Sequence, residues 1–130
     1  MASRSLDDLR ADIRAKALIH RELCAAEGID LLIYCTYRSN EEQAAEYAKG
    51  RTAPGKIVTF AKPGQSKHNH TEDGKPASLA YDCVPLVGGK AAWSNTELYK
   101  KVGELGKKAG LNWAGDWKRF REFPHFEVEK

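Results

Sequence analysis

The chain has 130 residues, of which 42% are hydrophobic and 30% charged, and its formal net charge is +3. This length supports one hydrophobic core rather than two ordinary domains, and a weak positive charge without a polybasic arm does not favour nucleic acid as a partner. The charged start of the chain lacks the apolar stretch of a signal peptide, and no window approaches the roughly 20 apolar residues of a membrane span. We therefore expect one domain over residues 1–130, made in a cytoplasm and not inserted in a membrane.

The first half of the chain predicts two helices with a strand between them. Apolar residues at helical spacing predict a helix over residues 6–27. His20 lies close to that apolar face, so we expect it to be packed rather than to bind a metal. A β-branched and aromatic run then predicts a strand over 30–37. Ser39 and Glu42 form a capping box at the start of a second, shorter helix.

The second half begins with a Gly/Pro-rich crossing, residues 51–64, that could hold a brief strand over 57–60. The following segments predict, in order, a polar loop over 65–78, a buried strand over 79–87, a helix over 96–109 and a closing strand over 125–129. Because helices and strands are mixed without regular βαβ spacing, we expect the α+β class.

The three cysteines are Cys24, Cys35 and Cys83, an odd number without a CxxC spacing. Neither a disulfide framework nor a thiolate zinc site is therefore indicated. We expect all three to be small buried side chains.

Histidine and aspartate residues suggest a metal centre. Asp82 lies inside an apolar run, and a buried carboxylate needs a cation or strong hydrogen-bond donors. His125 opens the last predicted strand, and His68 lies in the polar loop before Asp82. Catalytic zinc sites use three such ligands and leave a position for water. No compact HEXXH signature is present, so each residue, taken alone, also fits an ordinary structural role.

Short motifs along the chain resemble one enzyme family. They are Ser66-Lys67-His68, Ala80-Tyr81-Asp82 and Glu122-Phe123-Pro124-His125, preceded by Tyr37-Arg38-Ser39 and accompanied by the stretch Trp113–Trp117. In this order they resemble the zinc peptidases of bacterial cell walls, the D-alanyl-D-alanine carboxypeptidase and L-alanyl-D-glutamate endopeptidase family, which includes phage endolysins. The resemblance covers roughly residues 29 to 127.

The resemblance implies a fold and a set of roles. The fold would be a single small domain with helices packed on a mainly antiparallel sheet, similar to hedgehog and D,D-peptidase domains. One zinc ion would be held by His68, Asp82 and His125. Glu122 would be the general base, and Arg38 would stabilise the oxyanion or bind a substrate carboxylate. Ser66 would orient the substrate or a ligand, and Trp117 would contact the substrate.

Two alternatives remain open at this point. The segment between His68 and Asp82 is longer than is usual in the family, with an apparent insertion around Glu72, so His70 could replace His68 as a ligand, although the Ser-x-His match favours His68. Asp116 is a rival to Glu122 as the base.

The resemblance also implies a substrate and a setting. The motifs favour hydrolysis of the L-alanyl-D-glutamate bond in the peptidoglycan stem peptide. The alternatives are a D-alanyl-D-alanine carboxypeptidase and an inactive wall-binding module on the same fold. A lytic, antimicrobial enzyme of a phage or prophage is expected, acting as a monomer, accumulating in the host cytoplasm and then reaching the periplasm or cell wall.

Overall fold

The computed structural model describes residues 2–130 and contains three helices and seven strands within that range. The helices are α1 (Ala11–Ala26), α2 (Asn40–Ala48) and α3 (Thr96–Lys108). The strands are β1 (Asp30–Cys35), β2 (Thr71–Glu72), β3 (Lys75–Pro76), β4 (Ala80–Val87), β5 (Lys90–Ala91), β6 (Asn112–Trp113) and β7 (His125–Glu127). The predicted α+β class is confirmed.

Strand β4 is the centre of a five-stranded sheet. The order is β1-β4-β7-β6, with β5 also paired to β4, and every pairing is antiparallel. Tyr81, Cys83 and Val84 on β4 are fully buried, as expected for a central strand. The register sets Asp82 opposite His125 on β7, and an irregularity in β1 sets Cys35 opposite Asp82 on the other side. The sheet therefore brings distant polar residues to one place.

Helices α1 and α3 contact each other and cover the core. The buried side of α1 carries Ile13, Ala17, His20 and Cys24, which recur every three to four residues. The predicted packing of His20 and the predicted burial of all three cysteines are confirmed. No helix in the described part of the chain combines the length and apolar character that a membrane crossing requires.

Two glycines of α3 allow the helix to approach the sheet closely. A Cβ atom on Gly103 would overlap the Trp113 ring, and one on Gly106 would overlap the Phe126 ring. Both rings are buried in the core. The close approach of α3 to the sheet at these positions therefore requires glycine, which has no side chain.

The structure corrects the predicted start of the first helix. The segment Leu6–Asp8 forms a short 3₁₀ turn, and α1 begins only at Ala11. The intervening Leu9 is extended and bridges to Ser78, and backbone hydrogen bonds join Ser78 to Asp8 and Arg10. The backbone pairing with Ser78 thus keeps Leu9 out of the helix, although the helical spacing of apolar residues continues through it.

Three other segments also differ from the predictions. The strand predicted over 30–37 ends at Cys35, and the Arg38 amide instead donates to the His68 carbonyl at 2.9 Å. Residues 57–60 form no strand. The segment predicted as a loop contains the small hairpin β2–β3, because Asp73 and Gly74 have the positive φ angles that a tight hairpin turn needs.

Candidate metal centre

Asp82 and His125 meet across the pairing of β4 and β7. The Asp82 Oδ1 atom lies 3.1 Å from the His125 Nδ1 atom. Both side chains are largely shielded from solvent. The antiparallel register, rather than proximity in the sequence, makes this contact.

His68 reaches the same carboxylate from a 3₁₀ turn, Lys67–Asn69. Ser66 caps this turn, and its Oγ atom accepts a hydrogen bond from the His68 amide at 3.2 Å. The His68 Nε2 atom lies 3.3 Å from Asp82 Oδ1, and the two histidine ring centroids are 5.1 Å apart. The structure thus brings together all three predicted ligands, with Ser66 positioned to orient one of them.

The outer nitrogen of each histidine has a fixed acceptor. His68 Nδ1 lies 2.8 Å from the Thr36 carbonyl oxygen, which can only accept, so this nitrogen carries a proton. His125 Nε2 donates to Glu127 Oε1 at 2.9 Å, and Glu127 also accepts from Lys67 Nζ at 2.7 Å. In the neutral rings, the nitrogens that face Asp82 are therefore the unprotonated ones. Such outer-shell acceptors commonly orient metal-binding histidines.

The electrostatics of the cluster favour a cation. Burial alone would raise the pKa of Asp82, but His68 and His125 lower it below its usual range. Burial alone would lower the pKa of His68, yet the Asp82 carboxylate raises it to about 10. Without another positive charge, the histidines take up protons to balance the buried carboxylate. Two unprotonated imidazole nitrogens and one carboxylate are also a typical donor set for catalytic zinc, so His68, His125 and Asp82 fit this metal.

Glu122 and Arg38 lie beside the three candidate ligands. Glu122 Oε2 is 4.0 Å from His125 Nδ1, and burial raises the pKa of Glu122, although His125 and Arg38 oppose this shift. Arg38 donates to Gln43 Oε1 at 2.9 Å and to Cys35 Sγ at 3.5 Å. A partly buried carboxylate next to a metal centre suits general-base chemistry, and a fixed guanidinium suits binding of negative charge.

An open cleft of about 950 Å³ leads to these residues. Trp117 lines the cleft, with its ring centroid 5.5 Å from that of His125. Trp93 also lines the cleft, and its ring contacts the Tyr34 ring. Trp113 instead is buried in the core and donates to the Phe123 carbonyl at 2.8 Å. Of the three tryptophans, two therefore face the cleft.

The two rival residues lie outside this cluster. His70 Nε2 is 3.1 Å from the partly exposed Glu72 carboxylate, and His70 does not line the cleft. Asp116 is exposed and pairs with Lys107 Nζ at 2.8 Å. Within residues 2–130, Glu122 forms no ion pair with the neighbouring arginines, Arg119 or Arg121.

Sequence reasoning missed two residues that contact the cluster. Cys35 Sγ lies 3.7 Å from His68 Nδ1 and, with His68 and Asp82, forms a group of potential metal ligands. No local pattern distinguishes it from the other buried cysteines. Glu127 could have been found, because residues two apart on a strand share one face and Glu127 follows His125 at that spacing.

The fold and this cluster of two histidines and one aspartate, with a glutamate beside them in an open cleft, fit a hydrolase that uses a single metal ion. A family described as D-alanyl-D-alanine carboxypeptidase matches residues 29–128. The chain belongs to this family, as its motifs predicted.

Two curated relatives have related names. The chain is 35% identical over 129 residues to the peptidoglycan L-alanyl-D-glutamate endopeptidase CwlK of Bacillus subtilis, a match that covers 93% of this chain and 74% of that protein. It is 30% identical over 104 residues to the L-alanyl-D-glutamate peptidase of Listeria phage A118, covering 78% of this chain and 31% of that protein.

Two solved structures share the fold. The Serratia marcescens L-Ala D-Glu endopeptidase ChiX superposes with a TM-score of 0.67 at 17% identity, covering 99% of this chain and 89% of that one. The D,D-pentapeptidase VanY of a VanB-type vancomycin resistance cassette, an E175A mutant in complex with Zn(II), gives 0.63 at 18% identity, covering 92% and 72%. These likenesses confirm the predicted fold of helices on an antiparallel sheet.

Proposed function

We propose that this protein is a zinc-dependent peptidase that hydrolyses the L-alanyl-D-glutamate bond of peptidoglycan stem peptides. The observation that carries the proposal is the convergence of His68 Nε2 and His125 Nδ1 on Asp82, with Glu122 beside them in an open cleft. Family membership and the names of the two curated relatives support the substrate.

The proposed roles follow from the chemistry of each residue. Zinc bound by His68, Asp82 and His125 would polarise the scissile carbonyl and activate a water molecule. Glu122 takes a proton from the attacking water and passes it to the leaving amine. Arg38 stabilises the negative charge that develops on the carbonyl oxygen.

The remaining predicted residues act in binding and orientation. Ser66 holds the turn that carries His68. Trp117 packs against the substrate backbone beside His125, since its ring faces the cleft. A partly exposed aromatic ring suits contact with a peptide that must bind without being buried completely.

The setting is also part of the proposal. We expect one domain over residues 1–130 that acts as a monomer on the cell wall, after accumulation in a host cytoplasm and release towards the periplasm. The phage relative supports an endolysin role in host lysis. Purified zinc-loaded protein should then lower the turbidity of a suspension of bacterial cells whose outer membrane has been permeabilised. An unchanged turbidity would contradict the lytic role.

Mass spectrometry of digested peptidoglycan tests the cleaved bond. The expected fragments carry a new N-terminal D-glutamate. Release of free D-alanine would instead indicate a carboxypeptidase, the activity in the family description. Absence of any new fragment from zinc-loaded protein would support an inactive wall-binding module and contradict the proposal.

Replacing the base separates catalysis from metal binding. Glu122→Gln should retain one zinc per chain and reduce turnover about 10²- to 10⁴-fold, because general-base catalysis is worth roughly that factor. Asp116→Asn is the matched control and should keep both zinc and turnover, since Asp116 pairs with Lys107 outside the cleft. Metal loss in Glu122→Gln would mean that Glu122 is a ligand and not the base.

A further inference from the structure

The cleft has a distinctive balance of charge. Four carboxylates line it, those of Glu46, Asp82, Glu122 and Glu127, together with the cations Arg38, Lys67 and Arg121. A substrate that carries its own carboxylate is repelled by such a surface unless a cation without a carboxylate partner receives it.

Two of the three cations are already engaged near the metal centre. Lys67 Nζ lies 2.7 Å from Glu127 Oε2 and 2.9 Å from the Val128 carbonyl oxygen. Arg38 is held by Gln43 and Cys35 and is close enough to Glu122 to lower its pKa. Its guanidinium is therefore held near Glu122, where the proposed mechanism uses it for the carbonyl oxygen.

Arg121 is the remaining cation. Its Nε atom donates to the Trp117 carbonyl oxygen at 3.2 Å, which ties it to the wall that carries Trp117 and Glu122. Among the described residues Arg121 forms no ion pair, so none of their carboxylates pairs with the terminal nitrogens of its guanidinium. A guanidinium with one fixed edge and one free edge can bind a carboxylate through two parallel hydrogen bonds.

The proposed substrate presents a carboxylate at the corresponding position. In the stem peptide, D-glutamate continues the chain through its γ-carboxyl group, so its α-carboxylate is free. That group is attached to the same carbon as the scissile nitrogen. In the proposed mechanism this nitrogen faces Glu122 to receive a proton. The α-carboxylate carbon is two bonds from the nitrogen, which puts the carboxylate within reach of the cleft wall that carries both Glu122 and Arg121.

We infer that Arg121 binds the α-carboxylate of the D-glutamyl residue on the leaving side of the scissile bond and thereby selects glutamate over its amidated form. This inference rests on the proposed function. It makes Arg121 a specificity-determining residue, while Arg38 serves the carbonyl oxygen.

Two synthetic stem peptides test the inference. They differ only at the α-substituent of the D-glutamyl residue, which is a carboxylate in one and a carboxamide in the other. The zinc-loaded wild type should prefer the carboxylate peptide about tenfold or more in kcat/KM, as expected for a charge-assisted bidentate contact. In Arg121→Gln this ratio should fall to about one, mainly through KM, and Arg121→Lys should restore part of it.

The matched control is Arg119→Gln. Arg119 is an exposed arginine two residues earlier that does not line the cleft, so this variant should keep the wild-type ratio. Binding of both peptides to a Glu122→Gln background, measured by calorimetry, should show the same preference without turnover and should lose it when Arg121→Gln is added.

The outcomes separate the inference from the proposed function. If the wild type cleaves neither peptide, the proposed function fails. If it cleaves both without preference, or if Arg121→Gln keeps the preference, the role of Arg121 is wrong while the peptidase activity stands.

Discussion

Two environments of buried histidines in this molecule differ in chemistry. His20 lies in the core, where Tyr81 Oη is 2.6 Å from its Nδ1 and the Val102 carbonyl oxygen is 2.8 Å from its Nε2. Both nitrogens are therefore satisfied by neutral groups. Burial lowers the pKa of His20 to about 4, so it stays neutral at physiological pH.

The histidines of the candidate metal centre each have one nitrogen that is hydrogen-bonded to an outer acceptor and one that faces a shared carboxylate. His68 and His125 each donate to an outer acceptor, and their inner nitrogens lie 3.3 Å and 3.1 Å from Asp82. That carboxylate raises the pKa of both histidines. The function of a buried histidine in this chain thus depends on what its second nitrogen faces, and not on burial itself.

The largest effects are expected when histidines inside and outside the cluster are replaced. His68→Gln removes one of the three proposed ligands and should reduce bound zinc well below one per chain, with loss of peptidase activity of about 10³-fold or more, because a catalytic site with two protein ligands holds zinc poorly. Elemental analysis after dialysis measures the metal.

His70→Gln is the matched control for that variant. His70 pairs with Glu72 outside the cleft, so its replacement should leave zinc and activity at the wild-type level. Loss of zinc from His70→Gln, with retention in His68→Gln, would reverse the ligand assignment.

The family and the order of the elements could be predicted from sequence because both depend on local signals. The motif around Asp82 combines an acid with an apolar strand, and the capping box of Ser39 and Glu42 forms as predicted, with both reciprocal hydrogen bonds. Helix existence follows from apolar spacing in the same way.

Two features that the sequence did not predict, the start of α1 and the contact of Cys35 with His68, depend on pairing between distant parts of the chain. The delayed start of α1 results from the bridge between Leu9 and Ser78. Cys35 contacts His68 because an irregularity in β1 shifts its register against β4. No local preference encodes either pairing, so composition and periodicity alone cannot predict them.

A smaller effect on zinc binding is expected from replacing Glu127, which accepts a hydrogen bond from His125 Nε2. Glu127→Gln keeps the size of the side chain but removes the carboxylate that fixes the His125 tautomer and pairs with Lys67. We expect zinc affinity to fall about 10- to 100-fold, the usual effect of losing such a partner. Competition with a metal-binding dye measures this affinity.

Glu129→Gln is the control for the Glu127 variant. Glu129 is exposed and lies 3.8 Å from Lys67 Nζ, but it does not contact His125. Its replacement should leave zinc affinity unchanged. Equal losses in the two variants would attribute the effect to the charge on Lys67 rather than to orientation of His125.

The smallest effect on the metal centre is expected from His20, whose contribution is to folding. Its folded pKa of about 4 lies below the usual histidine value of 6.5, so the unfolded chain binds the proton first as the pH falls. The stability from His20 is present above about pH 6.5 and is lost as the pH falls towards 4, by up to about 3 kcal/mol.

Urea denaturation of metal-free wild type and His20→Gln across this pH range isolates that contribution, because His68 and His125 titrate equally in both proteins. The free energy of unfolding of the wild type should fall more steeply, and the variant should keep full zinc binding at neutral pH. Parallel pH profiles would show that His20 is not held neutral by the core. In that case burial would not lower the pKa of His20. Only the Asp82 carboxylate would then distinguish the environment of His68 and His125 from that of His20.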